Sequence, residues 1–269
     1  MNLFDIEKEA NKKMTRKEHD NFVAGVLYKA AIEHETEWRK ENKGSKDVEL
    51  LDDMLREVRE LGYGYYYYAD IVNRDNRDPE LLDIILKYIG LFEDEGTVAE
   101  LVGVVGVKGY TKATKVILEN YKNSSEHNKR CNAGFYDNAL EKIQDKRYIG
   151  EYIELLKRQE DVDRLPFTMR MLGRWKVEEA KPYFMGYLES TYISYVGIFI
   201  EEPVVSGLVF TAVNALKYYT DLDGEISKKL RTKLGSGNKE LEKQVNKALE
   251  RIEKNNLKAL QGRKKKTCK

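Results

Sequence analysis

RMLGRWKVEEAKPYFMGYL, residues 170–188, decides how this chain is read, because it is either a lone amphipathic segment or one copy of a recurring unit. It reads as the last turns of one helix, a short polar turn, and a second helix with apolar residues at core spacing. Three other stretches share that build: VGVKGYTKATKVILENY from Val105, NALEKIQDKRYIGEYIELL from Asn138 and NALKYYTDLDGEISKKLRTKL from Asn214. KALERIEKNN, from Lys247, is read as a fifth copy. Anchors at Val105, Leu140, Leu172, Leu216 and Leu249 are separated by 35, 32, 44 and 33 residues, and the long interval holds an insertion, TYISYVGIFIEEP, at 191–203. A helix–turn–helix of this length cannot bury its apolar face alone, so the copies are expected to stack on a shared core.

Small residues favour such stacking. Gly103 and Gly106 in ELVGVVGVKG and Gly173 in MLGRW would let neighbouring helix backbones approach closely. The run of Leu172, Gly173, Ala180 and Pro182 resembles the HEAT-like repeats, particularly the short kind of the phycobilisome-lyase proteins. The copies at 138 and 214 lack the glycine and the proline. The resemblance covers roughly residues 97–254 and implies an all-α chain folded as an α–α superhelix of the HEAT/armadillo type. Three regions follow: 1–96, helical but divergent from the repeat; 97–257, the repeat array with its insertion; and 258–269, a basic tail.

The N-terminal region is helical by its own signals. A charged helix is expected over roughly 16–42 with Phe22, Val23, Val26, Leu27, Ala30 and Ala31 on one stripe, broken by Gly44 and Ser45. DVELLDDMLREVRELG forms the next, ending on Gly62. Asp78 and Pro79 pair an N-cap side chain with a proline at the first helical position, and ELLDIILKYIGLF runs from there to the EDEG turn.

Net charge is +1, yet residues 226–269 hold 15 Lys and Arg against 4 Asp and Glu, so an acidic body precedes a basic end. The two cysteines, Cys131 and Cys268, form no CxxC pair, which argues against a disulfide framework or a zinc site. No apolar run reaches the length of a membrane span, and the first residues carry no apolar core of signal-peptide length. The ending KTCK does not fit prenylation, and the reading expects a cytoplasmic chain.

Candidate chemistry is sparse. GYGYYYYAD, 62–70, would place Tyr65, Tyr68, Ala69 and Val72 inward on a helix and Tyr66 and Tyr67 outward, as an aromatic contact for a partner. Trp175, and Tyr195 and Phe199 of the insertion, are further candidate partner-binding residues. Arg263, Lys264, Lys265 and Lys266 could neutralise phosphates. His19, His34 and His127 form no metal-binding pair, DLDGE at 221–225 reads as a capped interhelical turn, and Cys131 reads as a small core residue despite its basic neighbours Lys129 and Arg130.

No catalytic residue, metal or cofactor is assigned. The leading expectation is a non-enzymatic scaffold that binds a protein of neutral or basic surface on a right-handed solenoid face, for instance a regulatory or immunity protein. The alternatives are nucleic-acid binding of the HEAT-like DNA glycosylase kind through the basic end, and a bilin-lyase-like enzyme or chaperone suggested by the repeat.

Overall fold

The structure is a computed structural model that describes residues 16–73, 76–190 and 207–267. Among these residues it is all-α, with fourteen α-helices, two 3-10 turns and no strand. They fall into two compact units, 1–107 and 108–269. The division lies inside the copy that begins at Val105.

The first unit contains α1 (Arg16–Glu41), α2 (Lys46–Glu60), α3 (Tyr68–Val72), α4 (Pro79–Ile89) and α5 (Glu95–Val105). Their ends obey the expected signals. Ser45 caps α2 by accepting from the Val48 amide, and α2 closes before Gly62, which sits at φ +94. Asp78 accepts from the Glu80 amide ahead of Pro79, and Asp94, from the EDEG turn, accepts from the Thr97 amide to start α5. Leu51, Met54, Leu55, Val58, Leu81, Ile85, Ile89, Leu101 and Val102 form the core.

Helix α1 differs from its expected stripe. Leu27 is 63% exposed, and among the described side chains of this helix, which begin at residue 24 and so leave Phe22 and Val23 outside, the buried position is Glu35. Its carboxylate accepts from the Tyr68 amide at 2.7 Å and pairs with Arg39 at 2.9 Å. These contacts anchor the helix to the start of α3. α5, which the repeat reading placed with the later helices, packs on α3 and α4.

The second unit contains α6 (Ala113–Asn123), α7 (Glu126–Ile143), α8 (Ile149–Leu156), α9 (Gln159–Arg164), α10 (Pro166–Trp175), α11 (Lys181–Tyr187), α12 (Gly207–Leu216), α13 (Glu225–Arg231) and α14 (Lys239–Thr267). In chain order α7 packs on α10, α10 on α12, and α12 on α14. Two copies share their turn. α7 ends with Gln144 at φ 57, ψ 46 and α10 with Lys176 at φ 56, ψ 46. Each then runs through one extended residue and a 3-10 turn (Lys146–Tyr148, Glu178–Ala180) into the next helix. The 32-residue spacing of Gln144 and Lys176 equals that of Leu140 and Leu172.

The fifth copy is not built this way. KALERIEKNN lies inside α14, which runs through it without a turn, because nothing between Lys239 and Thr267 breaks the helix except an isolated Gly262. The backbone of α14 continues past 258 to Thr267.

Candidate functional site

Tyrosines explain much of how the helices hold one another. Four of them bury their rings and send their hydroxyls to another segment of the chain. Tyr121 donates to Asp161 at 2.8 Å, Tyr219 to the Val177 carbonyl at 2.6 Å, Tyr187 to the Leu156 carbonyl, and Tyr65 to Asn76 at 2.8 Å. Part of the abundance of tyrosine is therefore architectural.

In the second unit the same devices gather cations at one place. Asp137, on α7, is 2% exposed and accepts the amides of Phe167 and Thr168 at 2.9 and 2.7 Å, capping α10 from a different helix. Burial pushes its carboxyl up to about 6, against the pull of those amides. Further along α10, Gly173 meets α12 so closely that a Cβ there would stand 2.4 Å from the Ala215 carbonyl oxygen and 2.6 Å from its Cα. Only glycine permits that contact, as the sequence suggested. On the far side Asn255 of α14 donates to the carbonyls of Lys217, Tyr218 and Tyr219, at 3.2, 3.0 and 3.2 Å, just beyond the end of α12. Asn256 exchanges hydrogen bonds with the Asp221 backbone at 2.7 and 2.8 Å.

These anchors bring Arg170 and Arg174 of α10, Lys217 after α12, and Lys247 and Arg251 of α14 to one surface. A notch of about 130 Å³ lies among Glu141, Phe167, Arg170, Arg174, Lys217 and Tyr218. Arg174 pairs with Glu141 at 2.6 Å. The Arg170 guanidinium lies 4.3 Å from the Phe167 ring centroid, and Lys217 and Arg251 share the Tyr218 ring at 5.4 and 5.8 Å. The cations repel. The Lys217 ammonium is lowered by burial and by Arg170, Arg251, Lys247 and Arg174, and burial together with Arg174 lowers Arg170 against the pull of Asp137. An anion placed among them relieves both the repulsion and the desolvation.

The expected partner residues are scattered by comparison. Tyr66 and Tyr67 are 66% and 38% exposed, with the Arg59 guanidinium 5.7 Å from the Tyr66 ring centroid. Only the last tyrosine of the run is helical, however. Tyr68 opens α3, Tyr67 before it is extended, and Asp70 accepts the Tyr66 and Tyr67 amides. Trp175 is half-buried against Tyr152, with Lys146 5.6 Å from its ring centroid. Tyr195 and Phe199, with the whole 191–203 insertion, lie outside the described residues. So do the side chains of Arg263, Lys264, Lys265 and Lys266.

Cys131 is exposed, on the solvent side of α7, with its Sγ 3.8 Å from His127 Nε2. The core face of that helix runs through Ala133, Tyr136, Leu140 and Ile143, so the core reading of Cys131 is corrected. Lys129 turns inward to the Lys122 carbonyl at 3.0 Å. DLDGE is a turn closed by buried Asp221, which accepts the Ile226 and Ser227 amides and the Ser227 hydroxyl. Among the described residues no group of three or more His, Cys, Asp or Glu could hold a metal ion, and no helix is long and apolar enough to cross a membrane.

Sequence reasoning missed the five-cation surface, because its members span residues 170–251 and each reads singly as a solvated charge. The signals available were two pairs, Arg170–Arg174 and Lys247–Arg251, each four apart on one helix. Comparison with protein families, curated proteins and solved structures finds no match to the chain.

Proposed function

We propose that this chain is a non-enzymatic interaction scaffold, in which α7, α10, α12 and α14 lead successive layers of a HEAT-like superhelix that binds an acidic protein surface. The observation that carries the reading is the crowding of Arg170, Arg174, Lys247 and Arg251 around half-buried Lys217. Folding alone has no use for such repulsion, whereas a surface that must attract an anionic partner does. Arginine beside Phe167 and Tyr218 is the composition of interface hot spots. The acidic body of the sequence pointed to a neutral or basic partner; this face calls for an acidic one. Tyr66 and Tyr67 remain candidate contacts of the first unit.

Nucleic acid is the second reading, favoured by Lys239, Lys243, Lys247 and Arg251, a row spaced by four along α14. One experiment separates them: capture from host extract with and without nuclease, at low and high salt, using the native chain and Arg170→Glu/Arg251→Glu. A protein retained through nuclease and lost with the charge reversal supports the scaffold. Capture that nuclease abolishes moves the surface to nucleic acid, and capture unchanged by the reversal removes this face from either role.

A further inference from the structure

The first unit holds a cavity of about 490 Å³ between α1, α2, α3 and α5. That is within the range of small-molecule sites, roughly 300–1,000 Å³. Trp38, Tyr68 and Phe92 supply aromatic wall, and Glu35, Asp94 and Glu100 supply carboxylates. The carboxylates are not equivalent. Glu35 is occupied by Arg39 and by the Tyr68 amide. Asp94 accepts the Thr97 amide at 2.6 Å while capping α5. Among the described residues neither Asp94 nor Glu100 is paired with a cation. The Tyr68 hydroxyl donates to the Thr97 carbonyl at 3.2 Å, and its ionisation is pushed well above the ordinary range by burial and then by Glu100, with Asp94 and Glu35 adding to it. The phenol therefore stays neutral, in a negative field formed by Glu35 of α1, Glu100 of α5 and Asp94 of the turn that leads into α5.

The lining selects its ligand by elimination. A neutral apolar molecule would strip water from Glu100 and give nothing in return. An anion would meet three carboxylates. A bare divalent ion prefers a shell of oxygens, and aromatic rings form much of this wall. An organic cation satisfies both components, with its face against the rings and its N–H groups on Glu100.

We propose that this cavity is a binding site for a compact organic cation, an alkylammonium or alkylguanidinium group, held between Trp38, Tyr68 and Phe92 with Glu100 as its counter-ion. The site is independent of the basic surface of the second unit and does not rest on the scaffold reading. Two sources carry this chemistry: a free small amine, and the arginine or lysine side chain of a bound polypeptide.

Calorimetric titration of the full chain tests it, using methylguanidinium and butylammonium chlorides against the neutral isosteres methylurea and butanol at constant ionic strength. Saturable binding of the cations alone is expected, weakened about tenfold or more by Glu100→Gln. Glu100 is part-exposed, so that variant is expected to fold, and its circular dichroism checks this. The isostere comparison needs no variant. Titration of N-acetylarginine methylamide assigns the source: tighter binding than methylguanidinium points to a polypeptide side chain, and weaker binding to a free amine. Equal response to neutral isosteres, the absence of saturation up to tens of millimolar, or an unchanged affinity in Glu100→Gln would each overturn the proposal.

Discussion

The substitution Asp137→Asn probes the anchor that sets α10, and with it Arg170 and Arg174. The carboxylate is buried and accepts two backbone amides, yet burial still raises it to about 6 from the ordinary 3.8. The folded chain thus holds a proton that the unfolded chain releases between about pH 4 and 6. This group's contribution is fully favourable below pH 4, declines as the pH rises through that window, and is level above it. The displacement corresponds to about 3 kcal/mol. The carboxamide of the variant cannot titrate, so the native chain should gain about 2 kcal/mol on the variant between pH 7 and pH 4, and the remainder below pH 4. Carboxylates with lowered ionisation, such as Glu57, Glu126 and Asp145, act in the opposite sense. They are common to both chains and cancel in the difference. Urea denaturation followed by circular dichroism at half-unit pH steps measures it. A native-minus-variant difference that stays constant from pH 4 to 7 would refute the assignment of a carboxylate raised by burial. Asp137→Ala leaves both amides unpaired beside a void and should cost about 2–5 kcal/mol at every pH.

Three further outcomes follow from the same surface. Gly173→Ala forces a Cβ within 2.8 Å of three Ala215 backbone atoms and should destabilise by about 1–3 kcal/mol or more, read as a drop in the urea midpoint. Asn255→Ala removes the donor to three carbonyls that follow α12 and should cost about 1–2 kcal/mol, with hydrogen exchange accelerated first in α14. Lys217→Met removes the most crowded cation, so it should hold the melting temperature or raise it by about 1–2 °C while weakening capture of the partner. A lower melting temperature with unchanged capture would mark Lys217 as a structural residue.

What the sequence made legible was local. Ser45, Asp78 and Asp94 announce helix starts because a cap acts within three residues, and apolar spacing reveals α2 and α4 because a helix face is written in its own segment. The partnership of Gly173 with Ala215 could only be half read: the glycine is visible, the backbone it approaches is not. Glu35, Asp137 and Asn255 were invisible, since each serves amides or carbonyls 30 or more residues away. Leu27 and Cys131 misled because periodicity gives a face without saying whether anything covers it. KALERIEKNN misled because a residue pattern matching one helix of a repeat does not contain the turn that would make it two.

The site follows the same logic in reverse. Polar anchors fix α10, α12 and α14 where apolar packing alone would leave them free to slide, and each anchor lies close to a cation. Asp137 holds the amide of Phe167, three residues before Arg170, and Asn255 stands one turn after Arg251. Buried carboxylates and amides give modest net stability but strong geometric definition. A fold selected for stability alone would relieve the repulsion at Lys217 by letting these helices shift or by substituting one charge. Here the repulsion is held in place by groups whose hydrogen bonds depend on geometry. An anion arriving at this surface would meet donors already positioned and cations already partly stripped of water.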